Sequence, residues 1–208
     1  MKVLFFDIGY TLVNEDAVWK KRCQEQAEGI EAKRLGLSAA DIYHEIEKAT
    51  IAGLPQYRTV IDKFNLSEVA PYRCELETMY DEVPVVLKTL ASKYKLGVIA
   101  NQLEGLEQRL EQLGIRQYFS YIISSGELRI LKPDIRIFEH ALKVAGCKAQ
   151  DAVMIGDRID NDTKPAQSLG MKAVWIKRGF GKLQTSLAAA NPPDYEIENL
   201  TELLDITF

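Results

Sequence analysis

The 208 residues suit one α/β domain with a modest insertion, and 47% apolar content is enough for a sizeable core. A formal charge of -4 with no Lys/Arg block excludes the usual footprint of a nucleic-acid binder, while a local cation can still hold a phosphorylated substrate. Three well-separated cysteines (Cys23, Cys74, Cys147) without a CxxC pair predict reduced, mostly buried thiols, and no run approaches the ~20 apolar residues of a membrane span.

The first element is a short apolar strand, Val3–Phe6, closed by Asp7. Asp7 interrupts the run well short of the about 7–15 residues of a signal-peptide core, so a cytoplasmic protein is expected. From residue 14 to residue 82 the pattern changes. Trp19, Cys23, Ala27 and Ile30 recur at near-helical spacing, as do Ile42, Ile46 and Ala49, and Gly53 and Pro55 break one helix from the next. With no convincing strand there, 14–82 is predicted to be an all-helical insertion, and 1–13 with 83–208 the α/β core.

A helix near Pro84–Tyr94 then leads to strand Leu96–Ala100, and further strands are expected at Tyr121–Ser124, Ala152–Ile155 and Met171–Ile176. Pro133 suits the first turn of a helix through Leu142, with Gly146 as its left-handed cap. Asp162 can cap the next helix and Gly170 close it. Tyr195–Ile197 and Leu200–Leu204 read as a last strand and helix, and Gly179–Gly181 and Asn191–Pro193 as loops. Strand–helix alternation of this kind predicts a Rossmann-like parallel sheet with helices on both faces.

Two of these strands end in carboxylates. One is Asp7; the other leads into Gly156-Asp157-Arg158-Ile159-Asp160-Asn161-Asp162. Ligands of open α/β sheets bind at that strand edge. Carboxylates gathered there repel one another unless a cation lies between them, which points to a hard divalent ion. Asp160 is expected at the surface. A helical insertion directly after the first strand would lie over this edge.

Four pieces stand in order: Asp7-Ile8-Gly9-Tyr10-Thr11-Leu12, then Leu96 to Gln102, then Leu131-Lys132-Pro133-Asp134, then Gly156-Asp157 with Asp162. Over nearly the whole chain this set resembles the haloacid dehalogenase (HAD) superfamily of hydrolases, with the helical segment as a C1-type cap. The resemblance implies that Asp7 is a nucleophile forming an aspartyl-phosphate. It implies Mg2+ held by Asp7, the Gly9 carbonyl and Asp157, with Asp162 coordinating or steadying the shell. Lys132 would supply an ammonium to the nucleophile and to a phosphoryl oxygen. Thr11 would orient the first loop, and Asn101 would offer its backbone N–H or side chain to the substrate. Lys132, Thr11 and Asn101 are thus the expected phosphate-binding residues. The implied partner is a small phosphorylated metabolite, without nucleic acid or membrane, on a monomer or homodimer.

Two positions depart from the family pattern. Family phosphatases usually carry a second Asp two residues after the nucleophile as the acid–base group, and here that residue is Gly9; losing such a group costs ~10²–10⁴-fold in rate. Ala100 stands where Ser or Thr is usual, and a missing hydrogen bond to a charged oxygen costs about 1.5–3 kcal/mol. A weakened or substrate-restricted phosphatase is therefore expected, one that favours acyl and aryl phosphates. A gain in rate for Gly9→Asp would place the deficit in proton transfer. The alternatives are a non-catalytic binder of Mg2+ and a phosphorylated ligand, or C–halogen hydrolysis with Asp7 attacking carbon. Dehalogenases place Tyr where this chain has Gly9, whereas here it comes one step later. Tyr10 either lines the pocket mouth or packs against the insertion. His140 is expected to be structural, and His44 has only a weak claim to face the substrate.

Overall fold

The computed structural model describes residues 2–208, so residue 1 of the expected 1–13 segment lies outside the described residues. The strands in chain order are β1 (Val3–Phe6), β2 (Val13–Asn14), β3 (Thr78–Met79), β4 (Lys95–Ala100), β5 (Phe119–Ser124), β6 (Ala152–Gly156), β7 (Lys172–Ile176) and β8 (Tyr195–Ile197). The helices are α1 (Asp16–Glu28), α2 (Ile30–Arg34), α3 (Ala39–Ile51), α4 (Gln56–Phe64), α5 (Val83–Ala91), α6 (Leu106–Gln112), α7 (Ser125–Leu128), α8 (Ile135–Ala145), α9 (Lys164–Ser168) and α10 (Thr185–Ala190).

Six strands pair in the order β5-β4-β1-β6-β7-β8, all parallel. Successive residues of a strand point to opposite faces, so a strand covered on both sides must be apolar throughout. β1 shows this directly. Leu4 and Phe6 join Val98, Val153 and Val174 in one core layer, and Val3 and Phe5 join Ile99, Met154 and Phe138 in the other. α5 and the C-terminal turn cover the first face, and α8 and α9 the second. Each fully buried side chain of this size contributes roughly 1.5–3 kcal/mol. The chain is therefore a Rossmann-like α/β protein, as expected.

Four helices, α1 to α4, lie within Asp16–Phe64, and α1, α3 and α4 share a core that includes Trp19, Cys23, Ile42, Ile46 and Val60. α3 begins at a capping box in which Ser38 and Asp41 satisfy each other's backbone N–H groups. Phe180, in the loop after β7, reaches into this cluster. Its ring centroid lies 5.5 Å from Trp19 and 5.0 Å from Tyr43. Aromatic pairs of this geometry add about 0.5–1.5 kcal/mol each beyond burial. The helical layer is thus fastened to the sheet by an aromatic plug as well as by its chain crossings.

The structure corrects the expected elements at several points. The insertion is not all helical: β2 and β3 pair antiparallel (Val13 with Met79, Asn14 with Thr78) and close its neck, and residues 65–77 are largely irregular. Strands of two residues carry no periodicity to detect. The helix expected from Pro133 begins at Ile135, because the Asp134 carboxylate accepts the Arg136 N–H at 3.0 Å and is the better cap. It continues past Leu142 to Ala145, and Gly146 ends it at φ 61° as expected. Asp162 caps no helix. It sits inside a widened turn, Ile159–Thr163, and α9 starts at Lys164. Leu200–Leu204 is a tight 3-10 turn. Cys74 is exposed, not buried.

Candidate active site

Strand register brings the acidic groups together. β1 and β6 pair Phe6 with Ile155, and the Asp7 N–H donates to the Ile155 carbonyl at 2.9 Å. The residues just beyond both strand ends therefore emerge side by side. Asp7, Asp157 and Asp162 each offer a carboxylate oxygen, and these oxygens lie within 4.8 Å of one another. Asp162 reaches the cluster because the widened turn folds it back onto the strand end, where its Oδ2 accepts the Arg158 N–H at 3.0 Å. A side chain at residue 156 has no room there: a Cβ would come within 2.6 Å of the Asp162 Cβ. Glycine is required by this close approach.

Lys132 arrives from the loop before α8. Its ammonium is 2.8 Å from Asp7 Oδ1 and 2.5 Å from Asp162 Oδ1, with the side chain only 2% exposed. Asn101 positions it. The Asn101 side chain accepts the Lys132 N–H at 2.7 Å and donates to the Lys132 carbonyl at 2.9 Å. Both ends of the Asn101 amide thereby clasp the Lys132 backbone.

Burial, then the neighbouring charges of Asp162 and Asp7, raise the Asp157 carboxyl well above the usual range. Burial likewise pushes Asp162 up to about 6, against the pull of Lys132. For Lys132 burial opposes the charge, but Asp162 and Asp7 outweigh it and the ammonium is held above its ordinary value. Three acidic groups around one ammonium leave the cluster short of positive charge, and hard oxygen donors of this kind fit a divalent cation.

This has a consequence for stability. In metal-free protein, Asp157 and Asp162 bind protons more tightly folded than unfolded. Their contribution is fully present below the ordinary Asp value and is lost as pH rises through the raised folded values, about 6 for Asp162. Chelator-treated protein is expected to melt at a higher temperature at pH 5 than at pH 8, with added divalent cation closing the gap at pH 8. A melting temperature that instead climbs steadily from pH 5 to pH 8 without metal would contradict this charge deficit.

The first loop turns sharply. The Ile8 carbonyl accepts N–H groups from Thr11, Leu12 and Val13 at 3.2, 2.8 and 3.1 Å, and Tyr10 adopts a left-handed φ of 49°. Asp7, Gly9, Asn101, Lys132, Asp157 and Asp162 line one cleft of about 380 Å3. Thr11 does not: it is fully buried, which suits support of the loop and not contact with a ligand. Tyr10 does both of the things expected of it. It lines the cleft, and it packs at 4% exposure against Phe180 with its hydroxyl donating to Asp16 at 3.0 Å. Asp160 is not a free surface carboxylate; it pairs with Arg158 at 2.6 Å and accepts from Gln184 at 2.7 Å. His44 is exposed beside Glu47, and neither histidine lines the cleft.

The sequence matches the haloacid dehalogenase-like hydrolase family model over residues 4–176. The chain belongs to this family. Among HAD relatives, the glyceraldehyde 3-phosphate phosphatase of Methanocaldococcus jannaschii is 40% identical over 128 residues, which is 59% of this chain and 55% of that protein. The chain thus spans about half the length of the first curated relatives it matches. The glyceraldehyde 3-phosphate phosphatase of Pyrococcus furiosus is 28% identical over 225 aligned positions, covering 99% of this chain and 92% of that one. The crystal structure of a HAD phosphatase from Thermococcus onnurineus superposes with a TM-score of 0.70 at 25% identity, covering 99% and 97% of the two chains.

The helical side of this HAD cleft was not foreseen. Glu15, Trp19, Arg22 and Tyr72 line it, and Gln102, Ser125 and Arg158 complete it from the core. Glu15 is 8% exposed. Its carboxyl accepts the Trp19 Nε1–H at 2.9 Å and lies 2.5 Å from the Tyr72 hydroxyl. Burial pushes it up to about 7, although both hydrogen bonds act to lower it. The spacing of Glu15 and Trp19 on one helix turn was the available signal, but four-residue spacing is too common to single out a site.

Proposed function

We propose that this chain is a Mg2+-dependent phosphomonoesterase that works through an aspartyl-phosphate on Asp7. The observation that carries the reading is the buried Lys132 ammonium, 2.8 Å from Asp7, beside two further carboxyls at the floor of a cleft. A cleft of about 380 Å3 is at the small end for ligand pockets, which suits a small phosphorylated metabolite. Relatives named glyceraldehyde 3-phosphate phosphatase and phosphoserine phosphatase support the same class.

In this reading the Asp7 carboxylate attacks phosphorus, and the bond to the leaving oxygen breaks. Lys132 orients Asp7 and meets charge that develops on a phosphoryl oxygen. Asp7, the Gly9 carbonyl and Asp157, with Asp162 beside them, would hold Mg2+, which when bound neutralises charge on the transferring group. The fully buried Ala100 presents no hydroxyl at the strand end, so the phosphoryl group is held less tightly. The boundaries 14–82 for the cap and 1–13 with 83–208 for the core belong to this reading, with the cap selecting the substrate.

The test is a panel of aryl, acyl and alkyl phosphates assayed with and without Mg2+. Turnover is expected with Mg2+ and is lost on chelation. Saturable binding of a phosphorylated ligand with no turnover would favour a non-catalytic binder, the reading that Gly9 and Ala100 motivate. Release of halide from a 2-haloacid that survives chelation would instead place the attack of Asp7 on carbon.

A further inference from the structure

An alkoxide is a poor leaving group until it is protonated, and hydrolysis of an acyl phosphate needs a base to take the proton from water. Gly9 has no side chain for either task. We propose that Glu15, from the neck of the helical insertion, is a catalytic residue that carries this proton in both directions, occupying the space a side chain at position 9 would fill. The proposal rests on the phosphatase reading above.

Three observations support it independently of one another. First, a Cβ on Gly9 would stand 2.8 Å from the Glu15 Cδ and 3.0 Å from its Oε2, so a side chain at 9 could enter only by displacing the Glu15 carboxyl. Second, Glu15 lines the same cleft as Asp7. Third, two donors fix the carboxyl where it stands: the Trp19 Nε1–H reaches Glu15 Oε2 at 2.9 Å, and the Tyr72 hydroxyl lies 2.5 Å from Oε1.

The steps balance. Asp7 forms its bond to phosphorus while the P–O bond to the substrate breaks, and the electron pair stays on the departing oxygen. Glu15 gives that oxygen its proton, and the alcohol leaves. Glu15, now a carboxylate, takes a proton from the water that attacks phosphorus. The Asp7–phosphorus bond breaks, its electron pair returns to the Asp7 carboxylate, and inorganic phosphate departs with Glu15 again protonated.

The experiment uses the full chain with Mg2+, an aryl ester (p-nitrophenyl phosphate) and an alkyl ester (glycerol phosphate). Glu15→Gln is expected to lose about 10²–10⁴-fold on the alkyl ester. On the aryl ester, whose leaving group needs no proton, it should release a burst of one p-nitrophenol per active site and then slow, because water lacks its base. Preference for aryl phosphates thus becomes a property of the variant. Gly9→Asp alone should lower activity through collision with Glu15, contrary to the gain the sequence suggests. Gly9→Asp combined with Glu15→Ala should recover alkyl turnover at least about tenfold over Glu15→Ala alone. Equal losses on both esters without a burst, or no loss at all, would overturn the proposal. So would failure of the double variant to recover, which serves as the test if Glu15→Gln does not fold. A wild type inactive on every phosphate ester would instead remove the phosphatase reading itself, and this proposal with it.

Discussion

Asp7→Asn is expected to abolish turnover, by a factor on the order of 10⁴–10⁶, and to leave the fold intact. The carboxamide has nearly the same shape as the carboxylate but is a far weaker nucleophile, so no acyl phosphate forms. The lost charge was one of two paired with Lys132, and the other remains. The backbone N–H of residue 7 still donates to Ile155, and Lys132 keeps its 2.5 Å contact to Asp162. Removing one anion from a crowded cluster relieves repulsion, so metal-free Asp7→Asn should melt at or above the wild-type temperature. The measurement pairs a melting curve with quenched single turnovers of a phosphate ester labelled in its phosphoryl group. Label should be trapped on wild-type protein and absent from the variant. Undiminished turnover would refute the assignment of the nucleophile.

Lys132→Met has the second large effect, and its mark is on stability as well as on rate. Methionine can fill the same narrow space, but it leaves Asp7 and Asp162 without their ammonium. Taking one partner out of a buried ion pair costs about 3–5 kcal/mol. For a chain of this size that is a fall of roughly 6–20 °C in melting temperature. The pH dependence separates lost charge from lost packing. Lys132 itself is held above its ordinary value and stays charged throughout the range from pH 5 to pH 8. Asp162 titrates near 6 and Asp157 is raised too, so at pH 5 protons take over part of the role of the ammonium. The deficit of the variant should therefore shrink on acidification from pH 8 to pH 5. Loss of electrostatic support for the phosphoryl oxygens should also lower turnover by about 10²–10³-fold. An unchanged melting temperature at pH 8 would mean that the cluster does not need this cation.

What the sequence determined by itself is the scaffold. Val3–Phe6 and Ala152–Ile155 read as buried strands because their apolar runs are uninterrupted, and Asp7 and Asp157 follow them directly; parallel pairing then makes convergence of the two acids almost unavoidable. Gly146 was legible as a helix end because a left-handed cap is a local event. Only the tertiary structure decided what those acids meet. Asp162 reads locally as a cap, yet the widened turn at Ile159–Thr163 sends its carboxyl back to Lys132. Nothing in the sequence shows that the Asn101 amide clasps the Lys132 backbone from both ends. Gly9 reads as a missing group, yet the space beside it is filled by Glu15, whose partner Tyr72 comes from the far end of the insertion. The physical reason is the range of the forces involved. Strand runs and caps are set by neighbours within a few residues, whereas the burial and proton state of a carboxyl depend on which distant side chains close around it.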